Sequence, residues 1–168
     1  PSANWRRAMS HQWPGDVGKA SGYHSHGGDS SLRRIVSDYM RASRGIKCQP
    51  EQVMITTGAQ GAFNLLSQLL IDPGDKIMME DPGYTGARGA FLAAGAQIEP
   101  LKVDDKSWDL DSIGTVKPKF IYVTPSCQFP LGQIMRIEQR LSLLKKARDA
   151  NAWVIVDDFD SEFSFLKN

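Results

Sequence analysis

The sequence has few of the features that announce a function by themselves. Its two cysteines, Cys48 and Cys127, make no metal-ligand spacing and no disulfide framework, so a reducing cytoplasm is the expected setting. No apolar run approaches the roughly 20 residues of a membrane-spanning helix, and no membrane partner is expected. The start, Pro1-Ser2-Ala3-Asn4-Trp5-Arg6-Arg7, carries no apolar signal-peptide core. It carries no initiator Met either, as expected of a chain that begins inside a longer one. The net charge is only +1 and the basic residues are scattered, which gives no electrostatic footprint for nucleic acid. There is neither a Gly-x-Gly-x-x-Gly turn nor the Gly-Lys-Ser/Thr of a Walker loop. Internal repeats, low-complexity segments and a clear linker are also missing. Against these absences, 41% hydrophobic and 23% charged residues over 168 positions fit one globular domain with a real core.

Periodicity supplies the architecture. Residues 4–12 read as a short amphipathic helix, and the Gly-, Ser- and His-rich stretch from Trp13 to Ser30 as a long loop. A helix over 32–44, capped by Ser31, follows from the spacing of Leu32, Ile35, Val36, Tyr39 and Met40, and Gly45 stops it. Val53-Met54-Ile55-Thr56 reads as a β-branched strand, and a helix with Phe63, Leu65, Leu66, Leu69 and Leu70 comes next. Further strands are expected at Lys76–Glu80, near Gln97–Leu101, at Phe120–Val123 and at Trp153–Val156, with helices over about 84–94 and 136–150. In the last helix Ile137, Leu141, Leu144 and Ala147 share one face. About five strands alternating with helices predict an α/β fold, a mostly parallel sheet covered on both faces.

Four strand ends carry the chemistry. Thr56-Thr57-Gly58-Ala59-Gln60-Gly61 turns from strand to helix, where N–H groups and the helix dipole favour a phosphate, although a tight turn needing Gly reads the same way. Glu80-Asp81-Pro82-Gly83-Tyr84 places an aromatic ring after a strand, to stack on a planar ligand or simply to pack. Thr124-Pro125-Ser126-Cys127-Gln128-Phe129-Pro130-Leu131-Gly132 is a Pro-bounded polar loop, either ligand-binding or a rigid connection. Val154-Ile155-Val156-Asp157-Asp158 ends a buried strand in carboxylates, which are costly there without a cationic partner. A helix cap or a salt bridge would also satisfy them. His24 and His26 have no ligand neighbours, so no metal is expected, and Lys145-Lys146 reads as a solvated helix face. Turn, ring, loop and carboxylate together fit one flat, phosphorylated, cationic ligand such as pyridoxal 5′-phosphate.

The order of these motifs resembles the aminotransferase-like domain of the MocR/GabR regulators. These form a GntR subfamily related to fold-type I pyridoxal-phosphate aminotransferases. The matching stretches run from Gly28–Gly45 through Gln52–Gln60, Asp72-Pro73-Gly74-Asp75, Glu80–Tyr84, Tyr122–Ser126 and Gln128-Phe129-Pro130 to Asp157-Asp158-Phe159-Asp160-Ser161-Glu162-Phe163. The resemblance implies a three-layer α/β/α large domain, incomplete here over 31–168, preceded by an arm over 1–30. It implies that Gly58, Ala59 and Gln60 hold the cofactor phosphate and that Tyr84 stacks on the ring. Asp157, with Asp158 as second choice, would pair with the ring nitrogen. Tyr23 would reach a neighbouring subunit's phosphate, and Gln128 the phenolic edge of the ring. Cys127 and Phe159 depart from the subfamily's usual His and Tyr, and Phe159 has no hydroxyl for that phenolic oxygen.

In the family the Schiff-base lysine comes some tens of residues after the Asp strand, and none of this chain's lysines fits that place. The chain is therefore expected to be a fragment with weak cofactor binding, little or no catalysis and an exposed sheet edge prone to association. The regulator's DNA-binding domain would lie outside it. The expected parent is a homodimeric sensor of an amino acid or amine, ahead of a working class I/II aminotransferase. A Rossmann-like module binding some other phosphate would leave Tyr84 and Asp157 unexplained.

Overall fold

A computed structural model describes residues 2–12, 25–105, 107–159 and 161–163, in two compact units that divide between Thr56 and Thr57. The first unit holds α1 (Ser2–Gln12) and α2 (Ser30–Arg44). Asp29, rather than Ser31, caps α2 by accepting a 2.8 Å hydrogen bond from the Leu32 amide. Gly45 closes the helix in the left-handed region, at φ 64°. From α2, Arg33 Nε donates to the carbonyls of Pro50 (3.0 Å) and Val53 (2.8 Å), fastening the segment that follows the helix. Residues 53–56 form no strand. Pro50–Gln52 is a single 3₁₀ turn, and the Ile55 amide bonds the lone carbonyl of Gly27 at 2.9 Å. Among the described residues the β-branched run has no neighbouring strand, so its propensity is not realised.

The second unit is the layered one. It contains α3 (Gly58–Leu70), β1 (Lys76–Asp81), α4 (Thr85–Ala93), β2 (Gln97–Lys102), α5 (Ser112–Val116), β3 (Phe120–Val123), α6 (Ile137–Asp149) and β4 (Trp153–Val156). The sheet has four strands in the order β2-β1-β3-β4, and all neighbours are parallel. Alternation along the two central strands builds two cores. Ile77, Met79, Phe120 and Tyr122 face Phe63 of α3 and Ala87, Ala90 and Phe91 of α4. Met78, Ile121 and Val123 face Ile113 of α5 and Leu143 and Ala147 of α6. Both central strands are buried on both faces, as the continuous apolar runs predict.

Two findings in this unit were not expected. The connection between β2 and β3, to which the sequence analysis assigns no helix, contains the short helix α5, anchored by the fully buried Ile113. On α6, Ile137, Leu141 and Leu144 point to solvent, and only Ala147 of the predicted face is buried. The sheet-facing line is Arg140, Leu143 and Ala147. Arg140 donates from Nε to the Met135 carbonyl and from Nη2 to the Pro125 carbonyl, each at 2.9 Å, and this sets the helix's rotation. A helix with two apolar stripes does not reveal which one meets the sheet.

At the N-terminal end of the strands, Lys119 Nζ reaches Asp75 Oδ2 at 2.5 Å and Asp72 Oδ2 at 3.2 Å. The Lys119 hydrogen bond holds the Asp75 carboxyl below its usual range, and Asp75 in turn pushes the lysine up.

Candidate functional site

The chain leaves β1 for α4 on one face of the sheet and leaves β3 for α6 on the other. Between these neighbouring strands the loops diverge, and such a switch point opens a crevice beyond the carboxyl ends of the strands. A cleft of about 270 Å³ lies there, lined by Ala59, Tyr84, Thr124, Phe129, Asp157 and Phe159. Each wall comes from a different strand end or helix start.

Ala59 belongs to the first turn of α3. Gly58 starts that helix at φ 76°, a value that favours glycine, and the cap residue Thr57 makes no side-chain capping bond. The positive end of the α3 dipole lies at this first turn, whose Ala59 lines the cleft. Gln60 does not line it. Its Nε2 donates to the Gly86 carbonyl at 3.2 Å, tying the start of α3 to α4.

Tyr84 is held by ring contacts with Phe63 (centroids 6.2 Å apart) and, edge-on, with Phe129 (5.7 Å). Gly86 gives it room. A Cβ at Gly86 would lie 2.6 Å from both Cζ and Oη of Tyr84 and 2.8 Å from Gln60 Oε1. The cause of this need for glycine is shared between Tyr84, two residues back, and Gln60, distant along the chain.

Asp157 follows β4, and its amide continues the ladder by donating to the Val123 carbonyl at 2.9 Å. Its Oδ2 accepts a 2.6 Å hydrogen bond from the Tyr122 hydroxyl. Burial, then the Asp157 carboxylate, push the Tyr122 hydroxyl far above the ordinary tyrosine range, so it stays a donor. Among the described residues no cation pairs with Asp157. Asp158 turns away, accepting from Ser161 Oγ at 2.9 Å.

A second carboxylate, Glu80, is buried one layer beneath. Its Oε1 accepts from Trp108 Nε1 (2.7 Å) and the Thr124 amide (3.1 Å), its Oε2 from Thr124 Oγ1 (2.6 Å) and Gln128 Nε2 (3.3 Å). Four neutral donors therefore carry one buried charge. Gln128 is fully buried in this network rather than on the cleft wall. Its Nε2 also meets the carbonyls of Pro82 (2.8 Å) and Phe129 (2.7 Å), and its Oε1 accepts from the Leu131 amide. The sequence reading places Glu80 at the end of the strand Lys76–Glu80 and gives it no role. The available signal was an acidic residue closing the apolar run Ile77-Met78-Met79.

Tyr23 lies outside the described residues. Ala59, Tyr84 and Asp157 are thus brought together on one cleft, Gly58 and Gln60 flank it, and Gln128 braces it from below. Residues 1–166 match the family of class I and II aminotransferases. The chain belongs to that family.

Among its relatives is the probable rhizopine catabolism regulatory protein MocR of Rhizobium meliloti, 42% identical over 98% of this chain and 34% of the relative. The 2-aminoadipate transaminase of Thermus thermophilus is 32% identical over 82% of this chain and 34% of that enzyme. The crystal structure of LysN, the α-aminoadipate aminotransferase of Thermus thermophilus complexed with N-(5′-phosphopyridoxyl)-L-leucine, superposes with a TM-score of 0.82. It is 28% identical, over 94% of this chain and 40% of that one. The chain spans about a third of the length of the curated relatives it matches. Its three-layer sheet is that of the fold-type I aminotransferases, and its aminotransferase-like sequence matches the MocR-type regulators.

Proposed function

We propose that this chain is the cofactor-binding part of an aminotransferase-like, effector-sensing domain of a cytoplasmic transcriptional regulator, and that its cleft takes pyridoxal 5′-phosphate. The observation that carries the reading is Asp157, a carboxylate held by a neutral hydroxyl and, among the described residues, left without a cation on the wall of a cleft that also presents an aromatic ring and a helix N-terminus. This donor set fits the cofactor. Asp157 would pair with the protonated ring nitrogen, Tyr84 would cover the ring face, and the first turn of α3 at Gly58, Ala59 and Gln60 would hold the phosphate. When bound, the cofactor supplies an electron sink for chemistry on amino groups. Tyr84 and Phe129 keep water from the ring, and Phe159 adds apolar surface without a hydrogen bond. Among the described residues no lysine lines the cleft, and the groups named here would hold the ligand without a covalent bond. In the parent homodimer, an amino acid or amine meeting the cofactor would shift the balance between two states with different DNA affinity.

A working aminotransferase is the second reading, favoured by the likeness to the Thermus transaminase. The higher identity and fuller coverage of the MocR match support the regulator.

Pyridoxamine 5′-phosphate, which needs no lysine, is the probe to titrate, alongside its carbocyclic analogue with C–H in place of the ring nitrogen. The unaltered chain is expected to prefer the nitrogen ligand. Asp157→Asn is expected to weaken that ligand by about thirtyfold or more, because truncating one partner of a charge pair costs at least about 2 kcal/mol. Equal affinity of the unaltered chain for both ligands would remove the cofactor reading. Borohydride reduction with pyridoxal 5′-phosphate, followed by intact mass, adds a covalent check. A stable adduct at one lysine, with turnover of amino acids, would favour the enzyme.

A further inference from the structure

We propose that Tyr122 is a positioning residue for the ligand ring, its hydroxyl holding Oδ2 of Asp157 so that Oδ1 is left to the ring nitrogen. The inference rests on the cofactor reading of the cleft and deepens it. Three observations support it.

The first is register. Tyr122 pairs with Ile155 across β3 and β4, and Asp157, two residues further on, shares the face of Ile155. The phenol therefore runs along that face toward the strand end and meets Asp157 Oδ2 at 2.6 Å.

The second is rigidity. Tyr122 is fully buried, with its ring edge-on to Phe63 (centroids 5.7 Å apart) and Phe91 (6.1 Å). A phenylalanine would make the same ring contacts. What the hydroxyl adds is the bond to Asp157, which fixes a half-buried carboxylate that otherwise has free rotamers.

The third is the kind of donor. A lysine or arginine in this place would neutralise Asp157 and compete with a cationic ring. A buried phenol, kept protonated by its surroundings, orients the carboxylate and leaves its charge available. Among the described residues Asp157 has no other side-chain partner.

The test is Tyr122→Phe in the 168-residue chain, titrated with pyridoxamine 5′-phosphate and with the carbocyclic analogue. The preference for the nitrogen ligand is expected to fall about tenfold, the scale of one lost hydrogen bond to a charged group. Affinity for the analogue should stay within about twofold, and adding Tyr122→Phe to Asp157→Asn should change neither. An unchanged preference, or equal weakening of both ligands, overturns the inference, because the second outcome is what a purely packing role produces. If the unaltered chain shows no preference, the cofactor reading has failed first and takes this role with it. Should the variant unfold, tyrosine labelled with ¹³C at Cζ in the unaltered chain decides the matter. The Tyr122 signal should move with the nitrogen ligand and stay still with the analogue. Equal movement with both counts against the role.

Discussion

At the N-terminal end of the sheet Asp72 and Asp75 share the ammonium of Lys119, whereas at the C-terminal end, among the described residues, only neutral donors hold Glu80 and Asp157. Each arrangement satisfies its carboxylates, but the electrostatic result differs. An ion pair at a wet edge cancels its own field and is worth little beyond local order. Trp108, Thr124, Gln128 and Tyr122 supply hydrogen bonds without bringing an opposite charge. One end of the sheet pairs its carboxylates with a lysine, and the proposed cationic ring would play that part at the other.

The contrast can be broken most forcefully at Glu80. Replacing it by Ala strands the indole and the Thr124 amide and hydroxyl, while Gln128 keeps its carbonyl partners, and is expected to destabilise the second unit by about 3–5 kcal/mol. Glu80→Gln keeps one acceptor oxygen and should cost about 1–2 kcal/mol. Urea unfolding followed by circular dichroism reads both, and an Ala variant as stable as the parent would refute the network's structural role. A smaller effect is expected at Gly86. Ala there gains about 1 kcal/mol of helix propensity but drives its Cβ onto Tyr84. Stability should hardly change, while pyridoxamine phosphate binding falls severalfold. Unchanged binding would show that the Tyr84 ring position does not matter.

The smallest effect belongs to Lys119→Met. Asp75 has a depressed pKa, so its contribution is present above the ordinary value of 3.8 and is lost as pH falls through the depressed one. Lys119 is raised, so its contribution is present below 10.5 and is lost as pH rises through the raised value. The variant should melt slightly below the parent at neutral pH, and the gap should close in strong acid, in strong base and in high salt. A gap independent of pH and salt would mean that the lysine stem, not its charge, matters.

The second unit was largely legible in the sequence because its strands are continuous apolar runs bounded by turns, as Phe120–Val123 shows. Residues 53–56 misled because strand propensity is only fulfilled beside another strand. The stripe of Ile137, Leu141 and Leu144 misled because α6 has two apolar lines, and the contacts of Arg140 chose between them. At the site, Tyr84 and Asp157 were legible as a ring and a charge at strand ends. Gln128 was legible as polar and near the edge, yet its amide is drawn down to Glu80. Tyr122 hid inside an apolar run, although its hydroxyl needed a partner and a carboxylate stood at the end of a later strand.

The sequence by itself determined the alternation of strands and helices and the parallel sheet, and it placed Tyr84, Gln128 and Asp157 beyond three of the strand ends, because these follow from local periodicity and residue type. Only the tertiary structure decided the strand order, the face each helix buries and which polar groups meet. Those outcomes depend on register between strands distant along the chain. Tyr122 opposite Ile155 is what puts a phenol against Asp157, and no local pattern contains that pairing.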